Sequence, residues 1–237
     1  MTWSESETHT ASSATAYAKA NKASIARRLT DPKKFPGESN PVSVFMAGSP
    51  GAGKTEASVE LLKKFETDTP ILRIDPDELR AEFAGYEGGN AYLFQSAVSL
   101  LVERMHDLAL KQRQSFVLDG TLSNFNIAAS NVERSLKRGR HVQILYIYQE
   151  PHSAWNFVLA RESQEGRRIM PEHFVSQYFA ARDVVNGLKV KFGKGIQIDL
   201  LLKNLDGTNR KYFDNVDQVD SHVPEKYTLE DLKKLVL

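Results

Sequence analysis

The segment from residue 48 to residue 55 constrains this chain more than any other part of its sequence. It matches the phosphate-binding loop pattern G-x-x-x-x-G-K-[ST]. Its eight residues are Gly48, Ser49, Pro50, Gly51, Ala52, Gly53, Lys54 and Thr55. In such a loop, glycines let backbone N–H groups turn inward around a phosphate, the lysine reaches the β- and γ-phosphates, and the threonine hydroxyl is offered to Mg²⁺. The apolar run 42–47 and the helical pattern 54–65 predict a strand, the loop and a helix N-terminus, which together form an anion site.

Composition limits the partners of the chain. Lys and Arg number 31 against 30 Asp and Glu, so no overall field favours nucleic acid or an anionic membrane, and we expect neither as a partner. The chain has no cysteine, which excludes disulfides, thiolate catalysis and cysteine metal sites. Its 237 residues, 41% of them hydrophobic, are enough for one large domain with a buried core.

Targeting signals are not recognisable in this sequence. No apolar stretch approaches the roughly 20 residues that a membrane helix requires. The first seven residues lack the basic start and apolar centre of a signal peptide. We therefore expect the protein to remain in the cytoplasm where it is made.

The N-terminal part differs in character from the rest of the chain. Residues 1–13 are rich in Ser, Thr, Glu and His and are expected to be loose. A helix is predicted over 14–29, followed by a linker rich in Pro, Gly and Asp over 30–41. The sequence thus predicts a flexible segment and helix at 1–41 and a catalytic domain at 42–237.

Beyond the loop, short apolar runs alternate with helical patterns. Strands are predicted at 71–74, 115–118, 142–148 and 196–202, and helices at 90–111, 171–190 and 228–237, the last with Thr228 as a cap. This rhythm indicates an α/β fold of three layers, with a mostly parallel central sheet and helices on both faces.

Acidic side chains follow two of the predicted strands. Asp75 and Asp77 come directly after 71–74, and Asp119 follows 115–118. Ligands of open α/β sheets lie beyond the carboxyl ends of the strands, so one carboxylate could act as a general base while another positions Mg²⁺. Two simpler interpretations stay open: Asp77 could cap a short helix, and Asp119 could serve only the metal side.

A charged run with a glycine, 161–168, follows the fourth strand and its helix. Arginines on a mobile segment can stabilise the charge that spreads over a transferred phosphoryl group, so the run suits a lid. A solvated helix end is the alternative. The glycine-rich turn 85–90 is either a plain loop or part of an acceptor pocket.

Taken together, these elements resemble the zeta toxin family, bacterial kinases that phosphorylate a UDP-linked amino sugar. The resemblance covers about residues 42–190 and rests on the phosphate-binding loop, on 74–77, on Glu103 sixteen residues before Asp119, and on the arginines of the lid. It implies a P-loop kinase-type fold, ATP held by the loop, and Mg²⁺ bound with the help of Thr55.

The resemblance also implies roles for individual residues. Lys54 and Asp77 would be catalytic, with Asp77 as the base. Arg161 and Arg168 would clamp the phosphates. The acceptor would lie between the helix 90–111 and the strand end, with Asn90, Glu103, Asp119 and Thr121 as its binding residues. Two features depart from the family pattern: Asp119 stands where glutamate is common, and the doublet Arg167 and Arg168 leaves the second lid arginine ambiguous by one position.

The implied function is transfer of the ATP γ-phosphate to the 3′-hydroxyl of UDP-N-acetylglucosamine, which poisons cell-wall synthesis in the bacterial cytoplasm. A small helical antitoxin would restrain the enzyme, and the helix 14–29 would be an internal inhibitor, a packing element or an antitoxin dock. Two alternatives stay open. One is a small-molecule kinase on the same scaffold with another nucleotide or antibiotic acceptor, and the other is a module that hydrolyses ATP without an acceptor.

Overall fold

A six-stranded sheet forms the centre of the molecule. The computed structural model describes residues 3–65, 70–166, 168–203, 210–224 and 226–236. The strands are β1 Val42–Ala47, β2 Leu72–Ile74, β3 Phe116–Leu118, β4 His141–Gln149, β5 Gln197–Lys203 and β6 Arg210–Phe213. Their order is β2-β3-β1-β4-β5-β6, and among these described strands only the β5–β6 pair is antiparallel. The predicted mostly parallel α/β sheet is confirmed.

Helices cover both faces of this sheet. They are α1 Glu5–Leu29, α2 Lys54–Phe65, α3 Gln95–Lys111, α4 Phe125–Leu136, α5 Pro151–Glu165, α6 Pro171–Phe192 and α7 Leu229–Val236. Strand β1 shows why both faces are covered, because its side chains alternate between two apolar clusters. Phe45 and Ala47 join the larger cluster with α3 and α6, whereas Val44 and Met46 join a smaller one with α2. Among the described helices, none has the length and apolarity needed to cross a membrane.

The first helix starts earlier than composition suggests. The expectation that residues 1–13 are loose is wrong from Glu5 onward, where α1 begins. Ser4 Oγ accepts a hydrogen bond of 3.2 Å from the backbone N–H of Glu7, and the Glu7 carboxylate accepts one of 2.7 Å from the Ser4 N–H. This reciprocal capping box satisfies two helix-end donors, and it outweighs the polar composition of the segment.

One face of α1 belongs to the main apolar cluster of the protein. Ala18 and Ala26 are fully buried, and Ala14 and Ile25 are nearly so. The following linker is also attached, since Gln114 Nε2 donates a hydrogen bond of 2.9 Å to the carbonyl oxygen of Thr30. The boundary near residue 41 stays a proposal about where the α/β part begins.

The remaining predicted elements differ from the structure mainly at their ends. The helix predicted from residue 90 begins as a 3₁₀ turn, Ala91–Phe94, before α3. The cap of the last helix is confirmed, because Thr228 Oγ1 accepts a hydrogen bond of 3.2 Å from the N–H of Asp231. Strand β6 has no counterpart in the prediction. Asp206, Gly207 and Asn209, whose residue types favour a turn, lie outside the described residues.

A buried imidazole predicts how acid affects stability. His106 packs edge-on against the rings of Phe45 and Phe116, and neither ring nitrogen has a hydrogen-bond partner among the described residues. Burial, with the nearby charges of Arg134 and Arg140, lowers the pKa of His106 from its usual value near 6.5 to about 3. Between these pH values His106 is protonated in the unfolded chain but neutral in the folded protein. The free energy of unfolding therefore falls as the pH is lowered from about 6.5 to about 3.

His106→Phe should remove this dependence while keeping an aromatic ring against its two neighbours. Relative to the variant, the original protein should lose about 2 kcal/mol of unfolding free energy between pH 7 and pH 5. Urea denaturation of both proteins at the two pH values measures the difference. A gap that stays constant with pH would show that the imidazole does not titrate in this way.

Candidate active site

The phosphate-binding loop connects β1 to α2, as its sequence predicts. Lys54, the first residue of α2, folds back over the loop, and its Nζ donates hydrogen bonds of 3.0 Å to the Gly48 carbonyl and 2.7 Å to the Ser49 carbonyl. Thr55 follows at the start of the helix, where the N–H dipoles of α2 favour an anion. The eight predicted loop residues therefore form one turn with an ammonium group across it, as expected of an anion site.

Gly51 occupies a position that no other residue fits. Its φ of 73° lies in the left-handed region, and a Cβ placed there would be 2.0 Å from the carbonyl oxygen of Ala154 on α5. Gly51→Ala should therefore displace the loop from α5 and weaken ATP binding about tenfold or more, since left-handed strain alone costs about 1–2 kcal/mol. Isothermal titration with ATP measures the loss.

Gly193→Ala is the matched control for this change. Gly193 also has a positive φ, 52°, but a Cβ there would meet no atom within 4 Å. It lies at the end of α6, outside the phosphate loop. Equal effects of the two substitutions on ATP affinity would mean that the contact with α5 is unimportant.

Lys203 contacts the loop from the end of β5, and sequence patterns did not reveal it. Its Nζ donates a hydrogen bond of 2.9 Å to the Gly53 carbonyl, and burial lowers its pKa although the charge of Glu56 opposes the change. A lone lysine at a strand end carries no motif. The parallel order of β1, β4 and β5 is what brings this second ammonium group to the phosphate loop.

The predicted strand-end carboxylates meet around one arginine. Strand β3 lies between β1 and β2, so Asp75 and Asp119 end adjacent strands. Arg73 Nη2 binds both carboxylates, at 2.7 Å in the case of Asp119, and its Nη1 lies 2.6 Å from Glu78. Ser58, one turn beyond Thr55 on α2, lies 2.9 Å from Asp119 Oδ2. The acidic strand ends are thus joined to the helix that begins at the phosphate loop.

Asp75 is the most perturbed acid of this network. Its side chain is buried, and burial together with the charge of Asp119 raises its pKa to about 6, against the opposing charge of Arg73. Its Oδ1 accepts a hydrogen bond of 2.8 Å from the backbone N–H of Asp77. Asp75 therefore fixes the turn that carries Asp77.

Asp77 lies beside Arg80 rather than capping a helix. It precedes the 3₁₀ turn Glu78–Glu82, but its side chain makes no capping hydrogen bond there. Instead, Arg80 Nη1 contacts Asp77 Oδ1, and Arg80 Nη2 lies 3.4 Å from Gln95 Oε1 at the start of α3. Asp77 is one-third exposed, so a substrate hydroxyl can approach it.

Hard oxygen donors for Mg²⁺ are present but few. The described residues contain no group of three or more His, Asp or Glu side chains arranged to hold a metal ion. Mg²⁺ in phosphate-transferring sites uses only one or two protein ligands and completes its shell with phosphates and water. Thr55 and Asp119, linked through Ser58, are donors of the right type for such a partial shell.

Two of the predicted acceptor-binding residues are Thr121, which lies just after β3, and Asn90, which ends the glycine-rich turn 85–90. The carbonyl of Thr121 accepts a hydrogen bond of 3.4 Å from the Gly48 N–H, and its hydroxyl lies 3.1 Å from Ser123 Oγ. Asn90 closes the glycine-rich turn, because its Nδ2 donates to the Gly85 carbonyl at 2.7 Å and its Oδ1 accepts from the Glu87 N–H at 3.0 Å. Its amide is thus used to shape the loop.

Glu103 is placed differently from the other predicted acceptor residues. It is exposed in the middle of α3, eight residues after Gln95. At 1.5 Å per residue, it lies about 12 Å along the helix axis from the end that meets Arg80. The structure therefore does not bring Glu103 together with Asp77.

The two predicted lid arginines sit at different distances from the loop. Arg161, near the end of α5, lies 3.4 Å from the carboxylate of Glu56 in the first turn of α2, the helix that begins at the loop. Arg168 is 64% exposed and lies 3.6 Å from Glu162, while Arg167 is outside the described residues. A Cβ on Gly89 would be 3.3 Å from the Gly166 carbonyl, so the glycine-rich turn approaches the end of α5.

Comparison with solved structures shows relatives of the same fold. The chain superposes with a TM-score of 0.60 and 18% identity on a structure from the PezAT chromosomal toxin–antitoxin system of Streptococcus pneumoniae, over 100% of this chain and 88% of that one. An AvrRxo1-ORF1:ORF2 complex with ATP gives 0.60 and 18% over 90% and 70% of the two chains, and so does the same complex with sulphate ions. No match was found among curated protein sequences.

A comparison with family profiles identifies the lineage of the chain. The Zeta toxin profile matches residues 26–217, which include the phosphate loop, both acidic strand ends and the charged run 161–168. The match also begins within α1, so the family pattern extends beyond the α/β part of the chain. The protein belongs to the Zeta toxin family.

Proposed function

We propose that the protein is an ATP-dependent kinase that transfers the γ-phosphate to the 3′-hydroxyl of UDP-N-acetylglucosamine. The observation that carries this proposal is the connection between the phosphate loop and the acidic strand ends through Ser58, Arg73 and Asp119. A phosphoryl donor and a base must lie within one site for transfer to a hydroxyl. Family membership and the ATP in the AvrRxo1-ORF1:ORF2 complex support the choice of donor.

The residues of this chain have separate tasks in the proposed reaction. Backbone N–H groups of the loop and Lys54 hold the phosphates. Asp77 accepts the proton of the acceptor hydroxyl as its oxygen bonds to the γ-phosphorus, while the bond from that phosphorus to the bridging oxygen breaks and ADP leaves. Arg161, with Arg168 after the lid closes, stabilises the charge on the transferred group. Mg²⁺, held by Thr55 and Asp119, would neutralise phosphate charge. Because Asp75 holds the Asp77 backbone, it acts as a positioning residue.

The acceptor pocket is proposed to lie between the start of α3 and the end of β3. Thr121 and Asp119 line the strand side, and Asn90 shapes the loop opposite. Glu103 can join this pocket only if the acceptor extends along α3, because it lies about 12 Å along the axis from Gln95. Of the four acceptor residues, Glu103 is therefore the one whose substitution tests the length of the bound substrate.

An antitoxin is the proposed protein partner. One solved relative comes from a toxin–antitoxin system, and an enzyme of the proposed activity must be restrained in its own cell. The exposed side of α1 and its aromatic neighbours Trp3 and Tyr92 are available at the surface. Cytoplasmic action in a bacterium is part of the same proposal.

A substrate panel tests the function directly. Purified protein is mixed with ATP and Mg²⁺ and with UDP-N-acetylglucosamine, UDP-glucose or adenylylsulfate, and mass spectrometry detects any acceptor that has gained a phosphoryl group. We expect modification of the amino sugar nucleotide alone, lost in Lys54→Ala. Modification of another acceptor would favour the other small-molecule kinase, and ATP hydrolysis that no acceptor changes would favour the hydrolysing module.

A further inference from the structure

A cavity at the N-terminal ends of the parallel strands is lined by an unusual number of cationic side chains. It has a volume of about 480 Å³ and is lined by Pro41, before β1, by Arg113, before β3, and by Arg140, before β4. The phosphate loop instead follows the last residue of β1. Six strand residues separate the two ends, which corresponds to about 20 Å. The cavity is therefore distinct from the proposed active site.

The charge of the lining is strongly one-sided. Five cationic side chains line the cavity, namely Arg104, Lys111, Arg113, Arg138 and Arg140. Asp107, the one acidic residue of the lining within the described part of the chain, pairs with Arg134, which is not part of the lining. The whole chain has a formal net charge of only +1, so this concentration is local. Like charges held around one space repel each other unless an anion lies among them.

Arg140 is the most buried of these cations, and one of its nitrogen atoms remains available to donate hydrogen bonds to a ligand. Arg140 is 4% exposed, with Nε donating to Ser43 Oγ at 2.7 Å and Nη2 donating to the carbonyls of Val42 at 2.8 Å and Gln114 at 2.6 Å. Its Nη1 has no hydrogen-bond partner among the described residues. A guanidinium presents a fixed fork of five donors, so these contacts hold Arg140 in place and leave Nη1 for a ligand.

The other cationic side chains around Arg140 differ in whether hydrogen bonds hold them in place. Arg113 is fixed, because its Nε donates to the Glu38 carbonyl at 3.1 Å and its Nη2 contacts the Ser39 carbonyl. Arg104 and Lys111 make no hydrogen bond or ion pair within the described part of the chain. Rigid and free donors around one concave space are what recognition of a phosphate group requires.

We propose that this cavity binds a small molecule bearing a phosphate group. Its volume is within the range of ligand sites, about 300–1,000 Å³, which suits one small ligand rather than a nucleic-acid strand. Leu108 and Pro41 supply an apolar wall that an organic phosphate ester could cover. Inorganic pyrophosphate and a nucleoside monophosphate share the anionic chemistry and differ in their use of that wall.

Isothermal titration tests the site while the phosphate loop is filled. The full chain is saturated with a non-hydrolysable ATP analogue and Mg²⁺, then titrated with inorganic pyrophosphate or with adenosine monophosphate. The cavity variant is Lys111→Gln with Arg138→Gln, both exposed side chains. The control is Lys19→Gln with Lys33→Gln, which removes the same charge from exposed positions elsewhere.

We expect one equivalent of at least one ligand to bind the original protein and the control, and the cavity variant to bind at least tenfold more weakly. Tighter binding of the nucleotide would identify an organic ester, and tighter binding of pyrophosphate a free phosphate. Binding that is equal in all three proteins would overturn the proposal, as would no binding to the original protein. Crystals soaked in tungstate should show a tungsten peak beside Arg140, and a peak elsewhere alone would also overturn it.

Discussion

Asp77→Asn should reduce turnover by about 10²–10⁴-fold, the usual effect of removing a general base. The amide keeps the size of the carboxylate and can still accept a hydrogen bond from Arg80, so the fold should be retained. The affinity for ATP should change little, because Asp77 is not part of the phosphate loop. Steady-state kinetics with the acceptor found in the panel, together with ATP titration, separates the two effects.

Two comparisons make this result specific. Asp217→Asn removes a carboxylate that is 93% exposed and 3.7 Å from Lys189, and it should leave turnover unchanged. Asp75→Asn tests the neighbouring acid, whose pKa of about 6 would also suit a base. If turnover survived in Asp77→Asn but was lost in Asp75→Asn, Asp75 would be the base. The pH–rate profile of the original protein should then fall on the acidic side near pH 6.

Ala18→Glu should lower the free energy of unfolding by about 3 kcal/mol or more, since it buries a carboxylate without a partner. Ala18 is fully buried where α1 meets the main apolar cluster. Ala20→Glu is the control, because Ala20 is exposed on the same helix and should change stability by only about 0.5 kcal/mol. Urea denaturation measures both. Equal effects would mean that α1 does not pack as described.

Removal of residues 1–36 then separates a packing role of α1 from inhibition. We expect the truncated chain to be less stable and no more active, because Ala18, Ile25 and Ala26 cover part of the main apolar cluster. A sharp rise in activity would instead identify α1 as an internal inhibitor. A truncated chain as stable as the full chain would support the proposed boundary near residue 41 as the start of an independently folding domain.

Sequence predicted the parts of the fold whose signals are local. The strand, loop and helix around residues 42–65 follow from apolar runs and glycines, and the parallel sheet follows from their alternation. The start of α1 was missed because a single capping box, Ser4 with Glu7, outweighs the polar composition around it. The edge strand β6 was missed because an exposed edge strand has no buried apolar pattern to reveal it.

Site residues could be predicted where a local sequence pattern marks them. They could not be predicted where only the tertiary arrangement of the strands brings them together. Strand-end position was enough to predict that Asp75 and Asp119 lie close together, as they do around Arg73. The charged run 161–168 did not show that Arg161 belongs to α5 and contacts Glu56 of α2. The contact of Lys203 with Gly53 depends on the order of the strands, which no local pattern contains.

The two ends of the strand order have a consequence for self-association. Strand β2 is only three residues long, and β6 presents Arg210 and Lys211 along an exposed antiparallel edge. Short edges and edge cations discourage a second sheet from adding by backbone hydrogen bonds. The sheet is thus protected against edge-to-edge aggregation, which favours helical faces and loops as the surfaces for any assembly of this protein.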